Sequence, residues 1–349
     1  LGGVGVLALV TSQDRVLETL ECGYIDWQTP RIVQILLSGK LNPSVSARDV
    51  ALELLRRGLA ETVRSLKTLG NGPVVLEFSG PGLRGLSVHE RALLCSVAAE
   101  ADATAALTGS DEKTELFLRD QRRSKAHRQL SPDAGAACAE VVRLDLGSVE
   151  PLVRLANGTI CTLTEREFPP VHEVVLGGEV SGTLRDLLCA AQWFKSKRSN
   201  LDVDLSIVPA TRQTLEAISQ DGTLSQLLSA GGRLIAPDER LFDGTWQRPP
   251  QNGHTLRSFT MSPPPDGSPF PYMLASIETL CQAAISGRLQ DPRLLRRTTK
   301  VPCPRELPTD DTWLFDRKPS VLPPPMSPLV PAATKGHDRE WLDAPSPCE

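Results

Sequence analysis

Apolar and polar positions along this chain switch between helical and strand-like spacing. In DVALELLRRGLAETVRSLKTL (49–69) apolar residues recur every three or four positions, the spacing of one helix face. Ser46 precedes this run as an N-cap and Gly70 follows it, so a single helix is predicted between them. VVLEF (74–78) is a short β-branched run broken by Gly80-Pro81-Gly82, which predicts a strand and a turn. Ser87 and Glu90 have capping-box spacing and open another helix. Asp111 and Glu112 put negative charge on the first turn of a helix that runs to about Arg122. VVRLDL (141–146), EVVLGG (173–178) and LDVDLSIVPA (201–210) read as strands. TLRDLLCAAQWFKSK, RQTLEAISQ and TLSQLLSAG read as helices, and MLASIETLCQAAISGRL (273–289) reads as one long amphipathic helix. Strand, helix and strand at this spacing predict βαβ units, hence an α/β fold with largely parallel sheets. The segment ANGTICTLTEREFPP has no clear period, and a boundary is placed near 148–170.

The 349 residues are enough for two domains of ordinary size. A net charge of −4, with Lys and Arg scattered, lacks the basic footprint of a nucleic-acid binder. The cluster Arg122-Arg123-Ser124-Lys125 reads as a solvated helix end. No apolar run approaches the roughly 20 residues that span a bilayer, so no membrane partner is expected. LGGVGVLALV lacks a charged leader and an initial methionine, and reads as a chain that begins mid-domain. The eight cysteines are dispersed, without CxxC spacing. They point to a reduced, intracellular compartment, cytoplasmic in first place, with a mitochondrial location left open by the missing start. Cys95, Cys189 and Cys281 fall in apolar helical patterns and read as buried, inert thiols. Residues 302–349 hold 11 of the 29 prolines and read as an extended tail, with Trp313 and Phe315 as its last anchors. No GxSxG or Walker motif is present. The five histidines show no metal spacing, and His172 reads as a satisfied strand-end residue.

Residues 87–114, SVHERALLCSVAAEADATAALTGSDEKT, resemble the corresponding stretch of the aconitase and isopropylmalate dehydratase family. GGVGVLALVTSQDRVLETLECG, ILLSGKLNPSVSARDVALELL, RLDLGSVEPLVRLANG and YMLASIETLCQAAISGRLQDPR are similar to further family segments, in the same order. The resemblance implies aconitase-type three-layer α/β/α domains. On that basis residues 1–26 are a remnant of the first domain, 27–150 a second α/β domain, 151–300 a third, and 301–349 the tail, with no swivel domain. It implies descent from hydro-lyases that dehydrate and isomerise hydroxy di- or tricarboxylates on a 4Fe-4S cluster held by three cysteines.

The matching positions depart from that pattern. Glu179 stands at the first cysteine, in LGGEVSGTL (176–184), and Asp238 and Leu241 stand at the other two, in APDERLFDG (236–244). Carboxylates suit this soft cluster poorly and leucine is no ligand, so no cofactor and no metal are expected. Glu100 matches the family's helix glutamate and is the candidate catalytic residue, while Ser96 stands where the family has asparagine. Arg288, in Ser-Gly-Arg, and Arg257, near a weakly matching loop, are candidate substrate-binding residues. The family's histidine and aspartate motifs would precede Leu1. The resemblance therefore implies a chain that is catalytically silent alone. A small organic acid, and a companion chain carrying the missing first-domain or swivel parts, are the partners it suggests. A second reading is a working cluster-free lyase or isomerase that uses Glu100, Glu179, Asp238 and Glu239 with a divalent ion or a companion chain.

Overall fold

β-Branched and leucine-rich strands, each followed by an amphipathic helix, build two largely parallel sheets. The computed structural model describes residues 2–9, 11–70, 72–133, 135–178, 180–238, 241, 253–260, 271–295 and 301. The first sheet contains β1 (Arg31–Ser38), β2 (Val74–Ser79), β3 (Ala105–Thr108) and β4 (Glu140–Asp145), all parallel in the order β3-β2-β1-β4. Val33, Ile35 and Leu37 of β1 are fully buried, as are Val74, Leu76 and Phe78 of β2. These positions alternate along each strand and so share one face. Helix α1 (Gln13–Cys22) precedes the sheet and buries none of its residues. Helices α2 (Ala47–Arg56) and α3 (Leu59–Gly70) connect β1 to β2, α4 (Val88–Cys95) and α5 (Val97–Glu100) connect β2 to β3, and α6 (Glu112–Asp120) leads to β4.

The capping signals at Ser46 and Ser87 form as the spacing predicts, each with a complete capping box. The single helix expected between Ser46 and Gly70 is instead two. Gly58, at φ +91°, turns the chain after Arg57, a backbone state that glycine adopts without the Cβ penalty.

The second sheet has the order β6-β5-β11-β10-β7-β8-β9. Its strands are β5 (Leu152–Arg154), β6 (Ile160–Thr162), β7 (Glu173–Gly177), β8 (Asp204–Val208), β9 (Gly232–Leu234), β10 (Thr255–Arg257) and β11 (Met273–Ala275). Five of these run parallel, while β5 and β6 form an antiparallel edge against β11. Helices α7 (Leu184–Phe194), α8 (Arg212–Gln220), α9 (Thr223–Ser229) and α10 (Ile277–Ser286) complete the described elements. Two expectations are corrected here. The segment after Pro151, which lacks a period, forms the β5–β6 hairpin. The long helix expected over 273–289 is a strand, then Ser276 at the cap position, then α10, which ends at Gly287 with φ +75°. Three apolar residues in a row fit a buried strand and a buried helix turn equally well.

Each sheet has its own apolar cluster, with Trp193 and Phe194 in the larger one. The two sheets are joined where α2 lies on β5: Leu52, Leu152 and Leu274 pack together, and the Leu152 amide donates to Asp49 Oδ1 at 3.0 Å. The tail anchors Trp313 and Phe315 lie outside the described residues. Among the described residues no helix is long and apolar enough to cross a membrane.

Candidate functional site

The start of α2, the helix pair α4–α5, the loop after β7 and the starts of α7 and α10 bring polar side chains together where the two sheets meet. They surround a cavity of about 20 Å³ lined by Arg48, His89, Glu90, Ser181, Asp186 and Glu278, among others. That volume is room for about one water molecule.

Glu100, the candidate catalytic residue, ends α5 with its side chain 5 % exposed. Its Oε1 accepts from Arg48 Nη1 at 3.0 Å and its Oε2 from Arg154 Nη1 at 2.6 Å. Arg154 Nη2 donates to the Tyr272 hydroxyl at 2.8 Å, and Arg48 Nη2 donates to Ser181 Oγ at 3.2 Å. Four residues from both sheets are thus joined through one carboxylate, both of whose oxygens are occupied. Arg48, Arg154 and Tyr272 were not singled out from the sequence. They lie 52, 54 and 172 positions from Glu100, and no local pattern links them.

Beside this network lies a second buried group. Arg185 pairs with Glu90 at 3.1 Å and with Asp186 at 3.7 Å. Burial opposes its charge, yet Glu90, Glu278 and Asp186 together hold its guanidinium above the ordinary value. Burial pushes Asp186 up to about 7, although the Thr183 hydroxyl and Arg185 pull it down. Asp49 is likewise raised to about 7 by burial, against the pull of the Leu152 and Ser46 amides. Cys189 and Cys281 are held well above the usual thiol range, burial first and Glu278 second, so both remain neutral thiols. Burial lowers His89, against the upward pull of Glu90.

The other candidates are dispersed. Ser96 caps α4, its hydroxyl donating to the Leu93 carbonyl at 2.6 Å. Arg257 is fully buried: Nη1 donates to the Leu241 carbonyl at 3.0 Å and Nη2 to Glu173 at 3.3 Å. Glu173 in turn accepts from the Thr255 hydroxyl. Arg288 is exposed and bridges to Pro170, before β7, while the loop carrying Ser181 follows β7. A β-strand rises about 3.3 Å per residue, so Arg288 sits at the opposite end of the sheet. His172 is satisfied at the strand start, its Nδ1 accepting from the His254 amide at 3.1 Å.

Of the positions matched to cluster cysteines, Asp238 and Leu241 are described, and Glu179, like Glu239, lies outside the described residues. Leu241 is fully buried in an apolar cluster with Val175, Val208, Ile235 and Phe259. Gly178, at φ +91°, lies against the Phe259 ring, which stands 2.7 Å from where a Cβ would be. The described cysteines stand elsewhere. Among the described residues, the side chains packed on Leu241 are hydrocarbon and one aromatic ring, none of them a ligand type for iron.

The Aconitase family (aconitate hydratase) model matches residues 1–160. Curated relatives carry the name 3-isopropylmalate dehydratase large subunit. The protein of Sulfurimonas denitrificans is 27 % identical over 215 residues, covering 60 % of this chain and 49 % of its own length. Large subunit 1 of Thermotoga maritima is 28 % identical over 240 residues, 68 % of this chain and 56 % of its own. Large subunit 2 of Archaeoglobus fulgidus is 27 % identical over 300 residues, 84 % of this chain and 70 % of its own. The chain spans about half the length of the first two of these relatives. With the largely parallel α/β sheets, these matches show that the chain is similar to the Aconitase family model over residues 1–160 and to 3-isopropylmalate dehydratase large subunits over a longer stretch.

Proposed function

We propose that this chain is a hydro-lyase-like member of its family that carries out no dehydration or hydration on its own. The observation that carries this reading is the fully buried Leu241, packed with Phe259 where the resemblance puts a cluster ligand. Without the cluster, nothing at that position supplies the Lewis acid that polarises a substrate hydroxyl. Glu100 supports the same reading, because Arg48 and Arg154 hold both of its oxygens. A base must come within about 3 Å of the proton it takes, and here two guanidiniums occupy that shell. Arg257 acts as a core ion-pair partner of Glu173 and Arg288 as a surface residue, so neither grips a substrate carboxylate. We assign the domain limits 1–26, 27–150, 151–300 and 301–349 on the resemblance. The relatives are named large subunits; a companion chain is the partner we assign, with a small organic acid as the ligand class.

The test is anaerobic reconstitution of the full chain with iron and sulfide. It is followed by metal analysis after desalting, and by hydration assays with aconitate and isopropylmalate dehydration assays. We expect iron at background and no turnover. Iron and sulfide retained near stoichiometry, or turnover in either assay, would overturn the reading. Turnover without iron would favour the cluster-free lyase.

A further inference from the structure

Helix α1 is capped at both ends: Ser12 Oγ accepts from the Arg15 amide at 3.4 Å, and Gly23 closes the helix at φ +79°. Yet none of its ten residues is buried. Helices shorter than about 12–15 residues are marginal in water without packing, so α1 gains most of its stability only when a surface covers it. Val16 and Leu20 lie four residues apart and Leu17 and Leu20 three, so the three share one face. They are 46 %, 75 % and 59 % exposed in the order Val16, Leu20, Leu17. Asp14, Glu18 and Glu21 follow the same spacing on the neighbouring face, all exposed and with no ion pair among the described residues. Like charges at this spacing repel along a helix, and cations laid across them relieve that. Arg15 is the one cation of the helix, against three carboxylates.

The reverse holds after α6. Arg122, Arg123, Lys125 and Arg128 are all exposed. The Ala126 amide donates back to the Arg123 carbonyl at 2.9 Å and the His127 amide to the Ser124 carbonyl at 3.2 Å, a tight turn that gathers these cations. Asp120, the carboxylate nearest in sequence, is engaged by Arg119 at 3.2 Å. The Arg128 guanidinium donates to the carbonyls of Lys125 at 3.0 Å and His127 at 2.8 Å, which leave its charge unmatched. Among the described residues no carboxylate pairs with Arg122, Arg123 or Lys125. Leu116 and Leu130, 46 % and 47 % exposed, flank the turn in sequence.

The two surfaces match in charge and in length. At 1.5 Å per residue, Asp14 to Glu21 spans about 10 Å of helix axis. At about 2 Å per residue of 3₁₀ rise, Arg122 to Arg128 spans a distance of the same order. A net charge of −4 on the chain works against a long polyanion as the occupant of the basic turn. A second copy of the chain, in contrast, carries the matching carboxylates beside exposed leucines.

We propose that α1 of one copy docks on the basic turn of a second copy, and that this contact is made twice about a two-fold axis. Asp14, Glu18 and Glu21 meet the cations of the facing turn, while Val16, Leu17 and Leu20 cover Leu116 and Leu130. A contact repeated about a two-fold axis closes on itself, so it gives a dimer and not a filament. The facing surfaces are small beside the standard interface of about 800 Å² per partner, and matched charges set register more than they tighten binding. The dimer therefore forms in the micromolar range. It is distinct from the companion chain assigned above and does not depend on it.

Sedimentation velocity of the full chain, loaded from about 1 to about 200 µM, tests this. A monomer passing to a dimer across that range is expected. Glu18→Arg with Glu21→Arg makes α1 basic, and Arg122→Glu with Arg123→Glu makes the turn acidic. All four positions are exposed, so both variants should melt as the parent does. Each variant alone should lose at least about tenfold in affinity, since attraction becomes repulsion at both contacts. Mixed in equal amounts, the two should form a one-to-one heterodimer: the reversed helix faces the reversed turn, and the second contact is that of the parent. If the α1 double variant does not fold, Glu21→Arg alone serves in its place with a smaller shift. A parent that stays monomeric throughout would overturn the proposal. So would self-association untouched by either reversal, or a mixture that stays monomeric. A turn variant that still forms dimers while the α1 variant does not would set α1 against α1, and would overturn it as well.

Discussion

Glu100→Ala removes a carboxylate shared by two arginines, and its cost can be worked from their burial. The Arg48 side chain is 4 % exposed and that of Arg154 is 19 % exposed. After the substitution Arg48 retains, among the described residues, only Ser181 Oγ as a side-chain partner, and its Nε has no acceptor among them. Arg154 lies nearer water and keeps the Tyr272 hydroxyl, so most of the loss falls on Arg48. Removing one member of a buried pair costs about 3–5 kcal/mol, because the remaining charge is left desolvated. A large domain loses roughly 2–3 °C of melting temperature per kcal/mol, so a fall of about 6–10 °C or more is expected. Glu100→Gln should be no better, since its amide NH₂ must face one guanidinium. The double variant Arg48→Met with Glu100→Leu removes both charges and should recover most of the loss. Thermal melts followed by circular dichroism, arranged as a double-mutant cycle, measure all of this. A Glu100→Ala protein that melts within about 1 °C of the parent would refute the buried ion pair. It would return Glu100 to the role of a free carboxylate available for chemistry.

Stability should also depend on pH through Asp49 and Asp186, both raised by burial from 3.8 to about 7. The unfolded chain loses these protons near the ordinary value while the folded chain keeps them to about 7. Their contribution is therefore fully present below about pH 4 and is lost as pH rises through 7. Melting temperature should rise as pH is lowered from about 8 to about 5.5, and Asp186→Asn should flatten the profile; a parent profile falling in that direction would contradict the assignment. Leu241→Ala should cost about 2–5 kcal/mol by leaving a cavity beside Phe259. Chemical denaturation reads this directly, and a neutral result would mean that Leu241 is not a core residue.

Helix caps and strand runs were legible in the sequence because their signals are local. Ser46 and Ser87 each sit three residues before an acidic partner, and both capping boxes form. The β5–β6 hairpin was not legible: its strands are three residues long and are fixed by pairing to β11, more than a hundred positions away. Gly58 was masked by the continuous apolar spacing on either side of it. The same limit applies to the site. The resemblance singles out Glu100 and Leu241, but nothing in the sequence near Glu100 announces Arg48 or Arg154. Arg257 reads as a candidate substrate-binding residue near a weakly matching loop, and its burial beside Glu173 and the Leu241 carbonyl emerges from the fold.

Keeping a residue type is different from keeping its role. Glu100 stands where the resemblance expects a functional glutamate, yet the bonds that reach it run to both sheets and end on Tyr272 and Ser181. A group that shuttles protons needs a free lone pair facing substrate, and a group that joins two sheets needs the opposite: every lone pair matched and water excluded. The cavity nearby, of about 20 Å³, has room for about one water molecule. Leu241, packed with Phe259 and Val208, gains stability from burial that a thiolate at the same place could not. A cysteine placed at position 241 would therefore exchange buried hydrocarbon for a thiol among apolar neighbours.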